Sequence, residues 1–294
     1  MTLVGCFAAP HPPIVVPEVG GPEVLRVDAT LRSMRQLGRR TAELAPDTIV
    51  FLSPHSPLAR SRMGVSLASA YRGSLAFFRA PQVHLEASAD QVLARAIHDA
   101  AAAEGVPVTA TAAPGDVADL DHGAMVPLHF LTEGLSHPYK LVSLSFSYLD
   151  LDEHVRFGEV VGRVLMENPG KTVYLASSDL SHRLIQGAPA GYDPRGAEFD
   201  QTVARTFADG DWESLLSIDA CTVEAAGECG YRSLAVLRGL VKAVETAGVR
   251  TENHLLSYEG PFGVGYLVGE VRLFPAPGSE APARVAEEGG VHEQ

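Results

Sequence analysis

Short apolar runs alternate with longer stretches whose apolar residues recur every three or four positions, and this alternation persists through most of the chain. The runs read as buried strands and the wider spacing as helices with one face turned inward, the signature of an α/β sheet with helices packed on its faces. Strands are predicted near residues 3–9, 48–53, 63–68, 106–111, 140–147, 171–177, 252–258 and 263–271. Ser88 and Gln91 have capping-box spacing, and Val92, Leu93, Ala96, Ile97 and Ala100 follow at helical intervals, which predicts a helix over about 89–104. Val155, Val160, Val161, Val164 and Leu165 predict a second amphipathic helix, closed by Asn168-Pro169-Gly170. A third runs through YRSLAVLRGLVKAVETAG and ends at Gly248.

No repeat or low-complexity linker divides the chain, so the expectation is one domain over residues 1–274. Residues 275–294 are rich in Pro, Gly, Ala and Glu without an apolar period, and are expected to be disordered. The glycine-rich GPFGVGYLVGEV continues as an alternating strand and lacks Gly-Lys-Ser/Thr, which argues against a phosphate loop. No apolar run reaches the length of a membrane span, and the first residues lack the pattern of a signal peptide, so no membrane partner and a cytoplasmic location are expected. The scattered Cys6, Cys221 and Cys229 form no disulfide framework. A formal net charge of −13, with no basic run to offset it, repels a phosphate backbone, so nucleic acid is excluded as a partner.

Chemistry gathers where strands of such sheets end. His11 follows LVGCFAA within Pro10-His11-Pro12-Pro13, His55 follows TIVFLS between Pro54 and Ser56-Pro57, and His182 follows TVYLASS in SSDLSH. Proline fixes its own backbone angle and restricts the residue before it, so His11 and His55 stand on stiff supports. If the three strands are parallel neighbours, all three imidazoles reach one edge. His122, in ADLDHGAM, lies in a polar loop just before a helix. His11 and His55 suit a metal, and Glu224, Glu228, Asp121 and Asp179 compete to supply a further ligand. Asp121 and Asp179 also suit loop capping, and Cys229 is either a soft ligand or a small buried residue. Neither a Gly-x-Ser-x-Gly elbow nor a local cysteine-histidine signature occurs.

The blocks CFAAPHPPIVVPEVG, LSPHSP, LDHGAMVPLHFL, SSDLSHRL, GYDPRGAEFD, AAGECGYRSL and LLSYEGPFGVGY, in that order, cover nearly the whole chain. Together they resemble the class III extradiol ring-cleavage dioxygenases of the LigB-like superfamily, especially the branch related to Memo and AmmeMemoRadiSam proteins. The resemblance implies a three-layer α/β/α fold with a mixed, largely parallel sheet and a mononuclear Fe(II) held by His11, His55 and Glu228, with Zn or Mn as substitutes in a purified sample. It further implies His182 as the acid/base and His122 as a second active-site histidine that donates to substrate or oxygen. The expected substrates are a small aromatic diol and O2, and a homodimer is the expected assembly. Tyr192, Phe199, Tyr258 and Phe262 are candidates for an aromatic pocket. Two alternatives stand beside this reading: a Memo-like metal-binding or redox protein with Cys229 in place of Glu228, and a Zn-dependent hydrolase using the same two histidines and glutamate.

Overall fold

The computed structural model describes residues 2–274, so the expectation for 275–294 falls outside the described residues. The chain opens with β1 (Leu3–Ala9), the short α1 (Pro17–Gly20) and α2 (Asp28–Leu44). Next come β2 (Thr48–Leu52), β3 (Met63–Ser66), β4 (Ala70–Leu75), β5 (Ala80–Ala89) and α3 (Gln91–Ala103). The middle third is β6 (Val108–Ala112), β7 (Val117–Asp119), α4 (His122–Thr132), β8 (Lys140–Ser145), α5 (Leu151–Glu167) and β9 (Thr172–Ser177). It closes with α6 (Pro194–Asp209), α7 (Trp212–Leu216), α8 (Ala220–Ala226), α9 (Tyr231–Thr246) and the hairpin β10 (Arg250–Glu259) and β11 (Tyr266–Phe274).

The strands form one mixed sheet in the order β10-β11-β1-β9-β2-β8-β5-β4-β7, with β3 beside β8 and β6 beside β3. Its centre is parallel: β1 pairs with β9, β9 with β2 and β2 with β8, all in the same direction. Successive side chains of a strand point to opposite faces. Val50 and Leu52 accordingly join one core with Tyr174, Ala176, Phe157 and Leu237, whereas Ile49 and Phe51 join the other with Leu175, Met34 and Leu128. Helices α3, α5, α6 and α9 cover the first face and α2 and α4 the second, giving three layers, α/β/α. Because central strands are buried on both faces, their sequences are continuous apolar runs.

Two expectations change. The hairpin β4–β5 and the short β7 went unpredicted, because their burial is broken and they face water in part. The helix expected from residue 89 is capped by Asp90, whose carboxylate accepts from the Leu93 amide, and not by Ser88. Ser88 is held in β5, paired with Ala70 and Lys140.

Helices α5 and α9 cross backbone to backbone. A Cβ on Gly158 would overlap the Val236 carbonyl, and one on Gly239 the Val155 carbonyl. Gly239→Ala is therefore expected to destabilise the protein by about 2 kcal/mol even after alanine's helix-propensity advantage of ~1 kcal/mol, lowering Tm by roughly 4–8 °C in a calorimetric scan. An unchanged Tm would show that the two helices separate freely.

Candidate metal centre

The parallel order β1-β9-β2 brings the ends of these strands side by side, and the residues that follow them build the site. His11 is buried and His55 exposed, and their Nε2 atoms lie 3.1 Å apart. Two imidazole nitrogens bound at ~2.1 Å to one ion, roughly 90–110° apart, stand about 3.0–3.4 Å from each other. His122, the first residue of α4, stacks on His55 with ring centroids 4.3 Å apart. One donor atom from each of His11, His55 and His122 lies within 4.8 Å of the other two. These three imidazoles form a cluster capable of coordinating a metal.

The orientation of His11 follows from its neighbours. The Ser177 hydroxyl donates its one proton to the Gly123 carbonyl at 2.6 Å, so at 2.9 Å from His11 Nδ1 it must accept. Nδ1 therefore carries the ring proton and Nε2 offers a bare lone pair toward His55. Burial, together with the neighbouring His55, His122 and His182, holds the His11 pKa well below the usual imidazole value. Burial likewise lowers those of His55 and His122, with the Asp121 carboxylate pulling both the other way. Neutral rings are the form that binds a cation. The donor set thus fits a divalent metal. Ser177→Ala is expected to weaken metal affinity by about 10–100-fold while leaving all three donors in place, measured by competition against a coloured chelator. Unchanged affinity would mean that the hydroxyl does not orient the ring.

His55 is fixed through the cap of α4. Asp121 accepts from Ser53 Oγ at 2.7 Å, from Ser56 Oγ at 2.9 Å and from the Ala124 amide at 3.1 Å. Its capping role was legible from sequence; its grip on both sides of His55 was not. Asp179 accepts from the His11 backbone amide at 2.7 Å, and its other oxygen lies 3.7 Å from His11 Nε2. Burial raises its pKa to about 7, opposed by that hydrogen bond.

His182 stands close enough to lower the His11 pKa, and its own pKa is lowered by burial, opposed by backbone groups of Gly227 and Leu180. Its Nδ1 is buried without a hydrogen-bond partner among the described residues. Glu228 does not join the imidazole cluster. Its carboxylate caps α9 by accepting from the Tyr231 amide, and it lines a cavity of about 490 Å³ with Tyr148 and Arg232. Glu224 lines the same cavity. Cys229 sits on the other side of this segment, with Sγ 3.6 Å from His11 Nε2. Burial raises the Glu228 pKa to about 7 and drives the Cys229 thiol well up.

The family model for the catalytic LigB subunit of aromatic ring-opening dioxygenase matches residues 5–269. The chain belongs to the LigB family. It is 38% identical over 281 residues, 93% of its length, to Protein CA_C1420 of Clostridium acetobutylicum, and spans 58% of that relative. It is 25% identical over 198 residues to 3,4-dihydroxyphenylacetate 2,3-dioxygenase of Escherichia coli, a match covering 63% of this chain and 69% of the enzyme. Its fold is shared with the crystal structure of uncharacterized protein JW3007 from Escherichia coli K12, at a TM-score of 0.64 and 17% identity, over 91% of this chain and 99% of that one. No helix among the described residues is long and apolar enough to cross a membrane.

Proposed function

We propose that this LigB-family chain is an extradiol dioxygenase, opening the ring of a catechol-type aromatic beside its two hydroxyls with O2 and a mononuclear Fe(II). The observation that carries the reading is the pair of Nε2 atoms 3.1 Å apart, one with its lone pair set by Ser177, beside a third imidazole. In this reading His11, His55 and His122 hold the metal. Bound Fe(II) supplies open positions at which a diol and dioxygen meet. Glu228, bonded to the α9 amide, belongs to the wall behind the site. His182 takes a proton from a diol hydroxyl on its ring nitrogen and returns it to an oxygen leaving during ring opening, as suits a neutral imidazole near physiological pH. Asp121 and Ser177 hold the donors in position. The E. coli relative supports this substrate class, being an enzyme named for such a diol.

A second reading rests on Cys229: its sulfur, 3.6 Å from His11 Nε2, suits a metal-binding or redox protein in which a thiolate joins the histidines and no ring is opened. The test is anaerobic loading with Fe(II), then exposure to O2 with a panel of diols that includes 3,4-dihydroxyphenylacetate. The expected result is a yellow ring-opened product with one O2 consumed per ring. A filled iron site that opens no diol would favour the thiolate reading.

A further inference from the structure

One carbon aromatic ring among the described residues packs on the histidine cluster, and it was not among those singled out from sequence. Phe78 meets His122 edge-to-face, with centroids 5.7 Å apart and planes at 60°. The four aromatics expected to line a pocket are engaged elsewhere or turned to solvent. Phe199 is buried against Tyr231, the Tyr258 hydroxyl donates to Asp200, Arg26 covers Phe262, and Tyr192 is 50% exposed. Phe78 lies at the tip of the β4–β5 hairpin, in a single 3-10 turn, Ala76–Phe78. Beside it Phe77 is 91% exposed, its ring 5.2 Å from that of Phe78.

These residues make an uninterrupted series of rings, His11, His55, His122, Phe78 and Phe77, leading from the metal donors to solvent. A single exposed phenyl is ordinary on a protein surface; what sets Phe77 apart is its place at the outer end of this series, against Phe78, whose ring in turn meets His122. The backbone of the tip is also unusual: Arg79 takes a left-handed conformation at φ 64°, and the ladder shifts register between Ser74 and Leu75. Non-glycine residues adopt that conformation where surrounding structure imposes it, often at sites that grip a ligand.

We propose that the Phe77–Phe78 tip is the clamp for the substrate's ring, with Phe78 meeting the diol's ring edge-to-face beside His122 and Phe77 covering it from water. The inference rests on the reading above that the substrate is an aromatic diol, and it assigns the recognition of the ring, as distinct from its two oxygens, to this hairpin. Aromatic pairs of this geometry favour a flat aromatic ring over an aliphatic body of equal size.

The test uses the full chain loaded with Fe(II) without oxygen, titrated with 4-nitrocatechol and followed by its visible absorption, so that binding is read without turnover. Phe78→Leu is expected to raise Kd about tenfold, Phe78→Tyr to stay within about twofold of wild type, and Phe77→Ser to raise Kd about threefold. Iron content and the binding of nitric oxide, a ligand with no ring, are expected to stay unchanged in all three. Equal nitrocatechol affinity in wild type and Phe78→Leu would overturn the inference. Parallel loss of nitric oxide binding in Phe78→Leu would also overturn it, because the residue would then support the metal site. A wild-type protein that binds nitric oxide but no nitrocatechol removes the proposed diol function, and the clamp with it. A Phe77→Ser variant of halved mass and unchanged Kd would reassign Phe77 to a contact between copies.

Discussion

Replacing His55 with alanine is expected to lower the affinity for a divalent metal by well over 100-fold while leaving the fold intact. His55 sits exposed on the loop after β2, so its removal leaves no cavity in either core. His11 makes a poorer test, because it is buried and bonded to Ser177, and its loss would confound binding with stability. Second-sphere groups alone account for about 10–100-fold in metal affinity, and a donor at 3.1 Å from its partner contributes more. Equilibrium dialysis with metal analysis, beside a circular dichroism melt, checks both halves. A variant that melts like wild type and still holds one ion per chain would show that the cluster is a set of packed histidines and no metal centre.

His182→Asn is expected to do the reverse: full metal occupancy, with turnover of the preferred diol reduced by about 10²–10⁴-fold, the range for loss of a general acid/base. Asparagine keeps a polar amide near the ring's position but has no group that titrates. Burial holds the His182 pKa below its usual 6.5, so the neutral ring persists at pH 7. In wild type, then, kcat/KM is expected to be flat through neutrality and to fall only at a pH more acidic than the ordinary imidazole value, as the ring protonates, with that acid limb absent from the residual activity of the variant. Metal content measured on the same samples separates this role from ligation. An equal loss of metal would place His182 among the donors.

The parts of this molecule legible in its sequence are those where one physical demand dominates. The central strands β1, β2, β8 and β9 are buried on both faces, so apolar runs such as TIVFL admit one reading. Histidines held between prolines at the ends of such runs pointed to one edge of the sheet, and the order β1-β9-β2 brings them there. The hairpin β4–β5 was lost because half of it faces water and Gly73, Pro81 and a register shift interrupt its alternation. Ser177 carries no signal of its own, since a serine ending a strand acquires its role from a helix carbonyl 54 positions earlier. Glu228 and Cys229 show the limit most clearly. Adjacent in sequence, they face opposite sides of one segment, and only the local backbone decides that the thiol meets His11 while the carboxylate caps α9.

The first turn of α4 is fastened at both sides: Asp121 grips the serines flanking His55, and the Gly123 carbonyl receives the proton that sets His11. Fraying of that single turn would loosen the hold on all three rings at once, so an ion bound by them would act as a staple on local unfolding. Amide exchange at Ala124 and Met125 should slow when the centre is loaded and quicken under a chelator, making two backbone protons a gauge of occupancy that needs no substrate.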